Sequence, residues 1–433
     1  MPIRRALLAL VAFLAILVTA SPAHTQATAL RFGRLIDGHG RVVQDAVVVV
    51  EGERISKVGS GDGAVPPGAT VLDLRRYTAI PGLIDAHTHM SFYWDRAPGS
   101  RPWNQLGSLG PAVTVFLAQE NARKTLESGV TTVRDLGSWE YTDLALRELI
   151  HRGAMTGPRM FVAGYGLHVT GTPYQPGNSQ PSPGEADGVA EVQRVARQQL
   201  AAGADWIKMY GSTGSDQDVT GFQTYTFEEM KAAADVAHQA GKRIAIHSYG
   251  PDGARDAVRA GADSVEHATD MDDATIKEMA RRGTFYVPTV DHNRYYIAHK
   301  DEFGYGPEVV GRLNDYINRN FETLRRAVKA NVKIAMGSDA VFTGFGENTR
   351  ELEWFVKAGM TPAQALAAAT TNGAALLGME KDLGALAPGY YADIVAVEGD
   401  PLTDIGAVVN GVRWVMKGGK TVVDRTANSP QRP

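Results

Sequence analysis

Two histidines stand one residue apart at the end of an apolar run, in GLIDAHTHM (residues 82–90). On a strand, side chains alternate sides, so His87 and His89 share a face while Thr88 takes the other. Two neutral imidazoles on one face are half of a metal site. Further along, single polar residues stand in or close other short apolar runs: Lys208 in DWIKMYGS, His247 in RIAIHSYG, His267 in DSVEHATD and Asp339 in KIAMGSDA. Imidazole and carboxylate donors of this kind suit Zn²⁺, Mn²⁺ or Fe²⁺, with zinc the first expectation. Lys208 is the odd member, because an ammonium beside divalent cations is costly in a low-dielectric pocket. It is either paired with a carboxylate such as Asp205 or converted by carbon dioxide to a carbamate, which reverses its charge and offers two oxygens.

Residues so far apart meet only if the fold gathers the ends of their strands. The middle of the chain alternates short apolar runs with longer helical ones, and eight strands are predicted: Leu83–His87, Thr131–Asp135, Met160–Ala163, Trp206–Met209, Ile244–His247, Ser264–His267, Thr284–Val287 and Lys333–Met336. Segments such as FEEMKAAADVAHQAGK (227–242) and DDATIKEMARRG (272–283) carry helix formers and end near Gly, as helix C-termini often do. This alternation fits an α/β protein with a (β/α)8 TIM barrel over residues 81–384, in which strand C-termini converge on one mouth. A doubly wound open sheet is the alternative, but no Gly-rich phosphate loop follows the first strand. Residues 28–80 and 385–425 are instead rich in β-branched residues and turn signals, which predicts a small β-sandwich domain built from both termini, followed by a tail over 426–433.

The chain of 433 residues carries a formal net charge of −4 and no basic run, which disfavours nucleic acid and anionic membranes as partners. Its first residues have Arg4 and Arg5, an apolar run from Ala6 to Val18, then small residues. That is the layout of a secretory signal peptide over 1–27, with cleavage after Ala23 or Ala27. An exported protein with no stable membrane anchor after processing is therefore expected, the apolar run being shorter than the ~20 residues of a span. With no cysteine, it has neither disulfides nor a lipid-anchored cysteine, and its metal ligands must be histidine, carboxylate or something less usual.

PGLIDAHTH, DWIKMY, IAIHSYG, SVEH and MGSDA, in this order, resemble the motifs of the binuclear amidohydrolase superfamily. The flanking RLIDGHG…VVVEGERISKVG and LGALAPGYYADIVAVEGDPL resemble its small β-domain. Within that superfamily the chain is similar to the subgroup of Xaa-Pro and Xaa-Arg/Lys dipeptidases and ochratoxin-hydrolysing amidases. The resemblance implies that His87 and His89 hold one metal together with Asp339, that His247 and His267 hold a second, and that carboxylated Lys208 bridges the two. It further implies attack on an amide by a hydroxide shared between the metals, with Asp339 carrying the proton to the leaving amine. The expected substrate is a small amide with a free carboxylate, a dipeptide or N-acyl amino acid, and the candidates to bind it are His168, Tyr210 and His292. The relatives also suggest a homo-oligomer. One departure is the loop VTGTPYQPG (169–177), where the dipeptidases carry a TGGHG-like sequence. The aromatic insert SFYWDRAPGSRPWNQLG (91–107) is a candidate apolar wall for a bulkier acyl group, or a subunit contact. Lactonases, cyclic amidases and deaminases of the superfamily are the rival enzymes, although deaminases generally lack the lysine; a metal-free scaffold on the same fold is the non-enzymatic alternative.

Overall fold

The computed structural model describes residues 26–106, 108–172 and 182–426. All but the last two residues of the expected signal peptide, most of the VTGTPYQPG loop and nearly all of the tail lie outside the described residues. Among the described residues, no helix is long and apolar enough to cross a membrane.

Four strands open the described chain: β1 (Thr28–Ile36), β2 (Val42–Glu51), β3 (Arg54–Ser60) and β4 (Thr70–Pro81). Seven shorter ones follow, β5 (Leu83–Thr88), β6 (Val130–Asp135), β7 (Arg159–Val162), β8 (Trp206–Tyr210), β9 (Arg243–Ser248), β10 (Ser264–His267) and β11 (Phe285–Val287), close to seven of the eight runs expected. They form two parallel sheets, ordered β5-β6-β7 and β11-β10-β9-β8. Helices intervene, and the joints are made by left-handed glycines: Gly203 (φ 105°) closes the helix Gly188–Ala202 and Gly261 (φ 98°) closes Pro251–Ala260. A side chain is disfavoured in that conformation, so glycine lets the chain turn directly into the next buried strand.

The eighth run, Lys333–Met336, is not a regular strand. It makes single bridges instead: the Tyr286 N–H donates to the Lys333 carbonyl at 2.8 Å, and the Ala86 N–H donates to the Met336 carbonyl at 2.8 Å. The segment therefore lies between β11 and β5 without a continuous ladder. Just past the run, Gly337 lets the backbone approach its neighbours closely, since a Cβ there would lie 2.4 Å from Val287 Cγ1 and 2.8 Å from His87 Cβ. On the opposite side, Leu167 bridges the loop after β7 to Met209 of β8, donating to the Lys208 carbonyl at 2.8 Å.

Three strands complete the chain: β12 (Ile394–Val397), β13 (Val412–Lys417) and β14 (Lys420–Asp424). They join the first four in one mixed seven-stranded sheet, ordered β14-β13-β12-β4-β1-β2-β3. The two layers expected of a sandwich are thus one hydrogen-bonded sheet. An irregularity between Phe32 and Arg34 shifts the register with β4 from Leu74 to Thr78. The sheet buries a core that includes Phe32, Val48, Ile394 and Trp414, burial being the main favourable term in folding.

Candidate metal centre

His87, His89, Lys208, His247, His267 and Asp339 all line one cavity of about 510 Å³ at the C-terminal ends of the parallel strands. His87 near the end of β5 and His89 just past it both point into it. The ring centroids of His247 and His267 are 4.5 Å apart, those of His87 and His267 5.0 Å, and those of His87 and His89 5.4 Å. The Asp339 carboxylate stands among them: Oδ1 is 3.2 Å from His89 Nε2 and 3.5 Å from His87 Nε2, and Oδ2 is 3.2 Å from His292 Nε2. His267 (φ 71°) and Asp339 (φ 52°) both take left-handed backbone, a strain that persists where the surroundings impose it and that gathers at functional positions.

A layer of buried charge beneath the mouth positions these groups, and sequence reading did not single it out. Glu266 accepts a hydrogen bond from His87 Nδ1 at 2.8 Å, and the Arg134 guanidinium donates to Glu266 at 2.9 Å, to Ser264 Oγ at 2.9 Å and to the Ala86 carbonyl at 2.6 Å. With Nδ1 donating to Glu266, His87 turns Nε2 toward the cavity. Asp85 is a second support: it accepts from the Ser338 N–H, the Ser338 hydroxyl and Asn348 Nδ2, and so clamps the segment that carries Asp339. Burial pushes the Asp85 carboxyl up to about 6 against those hydrogen bonds. The only signal for either support was a charged residue inside an otherwise apolar strand. Replacing Arg134 by methionine would remove the guanidinium that Glu266 pairs with in the interior. We expect a loss of about 3–5 kcal/mol of stability, the usual cost of breaking a buried ion pair from one side, read as a lower denaturation midpoint by circular dichroism.

The substrate-binding candidates separate. Tyr210 and His292 line the cavity. His292 meets Asp339 directly, and Tyr210 lies near His89, since a Cβ on the intervening Gly137 would sit 3.4 Å from the Tyr210 hydroxyl oxygen and 3.8 Å from His89 Cε1. His168 is not among the lining residues; its ring nitrogens face Ser182 Oγ at 3.1 Å and Thr172 Oγ1 at 3.4 Å. It is a hydrogen-bonded loop histidine beside that cavity's described lining. Asp205, the carboxylate offered as a partner for Lys208, instead takes Arg147 Nη1 at 2.7 Å and the Val162 N–H at 3.1 Å. The insert over 91–107 does furnish cavity wall: Phe92 and Trp103 line it, Phe92 stacks on Trp139 with centroids 4.6 Å apart, and Trp103 meets Phe342 edge-on at 5.0 Å.

The donor set fits a divalent cation. His87 Nε2 is buried and makes no hydrogen bond, although such a nitrogen normally finds a partner. Nitrogens of His87 and His267 and an oxygen of Asp339 lie within 4.8 Å of one another. Burial holds the imidazoles of His87, His247 and His267 well below their ordinary pKa, in the neutral form that binds metal. For Asp339, burial favours the neutral acid, but the histidines around it, His292 and His87 foremost, outweigh that and hold the carboxyl well below the usual range. Burial likewise brings the Lys208 ammonium down to about 8, which makes its neutral, reactive amine accessible near neutrality.

The model of the amidohydrolase family matches residues 78–422. The ochratoxinase of Aspergillus niger is 30% identical over 437 aligned positions, covering 93% of this chain and 88% of that protein. Among solved structures, a Xaa-Pro dipeptidase with methionine bound in its active site superposes with a TM-score of 0.82 at 32% identity, covering 92% of this chain and 99% of that one. A prolidase complexed with N-methylphosphonate-L-proline superposes with a TM-score of 0.83 at 28% identity, covering 92% and 100%. Neighbours of this fold imply a TIM barrel with a β-rich domain, which agrees with two parallel sheets beside one mixed sheet. The protein is a hydrolase acting on amide bonds. With the match running from β4 to β14, the chain belongs to the amidohydrolase family.

Proposed function

We propose that this hydrolase cleaves the amide bond of a dipeptide or an N-acyl amino acid, ochratoxin A-type substrates included, and releases the C-terminal amino acid. The observation that carries the reading is the cavity itself, in which His87, His89, His247, His267, Lys208 and Asp339 share the lining with Phe92, Trp103 and Trp139. The names of the relatives, an ochratoxinase and proline dipeptidases, support it. His87, His89 and Asp339 would hold one cation, His247 and His267 a second, and Lys208, carboxylated, would bridge them. When bound, such a pair of divalent ions, zinc foremost, lowers the pKa of water and polarises a carbonyl.

The chain's own groups do the rest. Asp339 takes the proton of the attacking water and returns it to the leaving nitrogen. His292, against Asp339 Oδ2, keeps that carboxylate oriented and favours its charged form. The Tyr210 hydroxyl, whose pKa burial raises, stays protonated and donates to the carboxylate of the leaving amino acid. Phe92, Trp103 and Trp139 cover the acyl half and exclude water. The same reading takes residues 81–384 as a closed (β/α)8 barrel, with the sheet from both termini as a second domain, and takes the leader as an export signal on a homo-oligomeric enzyme.

The test is a screen of metal-loaded protein against dipeptides and N-acyl amino acids, following release of free amine, alongside metal analysis. We expect about two metals per chain, the number a binuclear site takes, and turnover of substrates that end in a free carboxylate. One metal would point to the deaminase type, and none, with no turnover, to a scaffold.

A further inference from the structure

Beyond the metal residues, one carboxylate in the cavity wall lacks a counter-charge. After β8 the chain leaves the parallel sheet in a hairpin. Ser212 bridges Gln223, the Thr213 N–H donates to the Phe222 carbonyl at 2.7 Å, and Ser215 and Asp218 exchange both backbone hydrogen bonds at 2.8 and 3.0 Å. Asp216 and Gln217 form its two-residue tip, with Asp216 at φ 58°, as tight hairpin turns demand. The two tip-region carboxylates differ sharply. Asp218 is satisfied by the Thr220 N–H at 3.0 Å and the Thr220 hydroxyl at 2.7 Å. Asp216 faces the cavity, and its buried Oδ1 makes no hydrogen bond.

Among the described residues, no lysine, arginine or histidine nitrogen lies within 4.0 Å of the Asp216 carboxylate. Burial, opposed only by the Gln217 backbone and the Trp103 indole, pushes its carboxyl up to about 7. Aromatic side chains share the cavity with it: Trp103, Tyr249 and Tyr296 line the same walls, and the field of Asp216 reaches both tyrosine hydroxyls. A buried carboxylate oxygen in an aromatic-lined cavity is a receptor for a compact cation, because the carboxylate attracts it while the apolar lining excludes water.

Resting on the proposed amide hydrolysis, we infer that Asp216 binds a protonated amine on the acyl half of the substrate and so selects dipeptides with a free amino group over uncharged N-acyl amino acids. Asp216 is a specificity residue in this assignment, remote from the proton transfers.

The experiment compares Leu-Phe with 4-methylpentanoyl-phenylalanine, which has the same shape without the amine, on the wild-type protein and on Asp216→Asn. Asparagine tolerates left-handed backbone at least as well as aspartate, so the hairpin is kept. We expect the wild type to prefer Leu-Phe. In the variant, kcat/KM for Leu-Phe should fall by about ten- to a hundredfold, the worth of a hydrogen bond between charged groups, and stay within about twofold for the amine-free compound. Equal losses on both substrates, or no preference in the wild type, overturn the inference. If the wild type cleaves neither, the functional reading fails, and titration calorimetry of the same two compounds decides about Asp216. Tighter binding of Leu-Phe that the variant loses upholds it, and equal affinity or no binding overturns it.

Discussion

Asp339→Asn will give a folded, thermally unchanged protein whose turnover has dropped by about a thousandfold, within the range that a positioned acid or base contributes. The substitution keeps the size and shape of the side chain. Asparagine keeps one of the two oxygens that now face His89 and His292 at 3.2 Å and replaces the other by an amide nitrogen. It also accepts the left-handed backbone that Asp339 adopts at φ 52°. What it loses is the ability to take up a proton and release it again. The neighbouring histidines hold the native carboxyl well below the usual range, so the resting group is ionised and ready to accept. Melting curves and kcat on the best substrate of the screen check the outcome; a variant within tenfold of the wild-type kcat would remove Asp339 as the proton carrier.

Lys208→Ala should cost metal and activity together, by at least about a hundredfold in either measure, since even loss of an outer partner of a metal ligand reaches that level. Lys208 is 1% exposed and lines the same cavity as the four histidines. As a simple ammonium it would repel the cations that this donor set suits. With its pKa brought down to about 8 by burial, a substantial fraction of the amine is neutral and open to carbon dioxide. Alanine leaves a void where the side chain lay, and formate or propionate added to the buffer should restore part of both properties by supplying the two oxygens. Elemental analysis and kinetics with and without the acid read the result. A variant that keeps its metals and its turnover would show that the lysine has no part in the centre.

The donors themselves were legible in the linear sequence. The spacing of His87 and His89 specifies one face of a strand because alternation is a local property of extended backbone. His247, His267 and Asp339 were legible for a similar reason, since each closes an apolar run that must be buried, as does Lys208 within its run. Gly283, which ends DDATIKEMARRG, marked a helix end because left-handed conformation is decided by the residue itself.

Other features depended on through-space neighbours and had no local signature. Nothing near Glu266 in the chain says that Arg134 will lie against it, or that Asp85 will hold Ser338 from the other end of the molecule. His168 and His292 looked alike as histidines in loops after strands, yet His168 settles on Ser182 and Thr172 while His292 reaches Asp339. Gly337, just past the eighth run, passes against Val287 and His87, a crowding visible only once the strands are assembled. Local geometry thus determined which side chains could bind metal and which way each strand presents them. The packed interior decided which partners they met, because a polar group that leaves water must take whatever donor or charge the tertiary fold brings within reach.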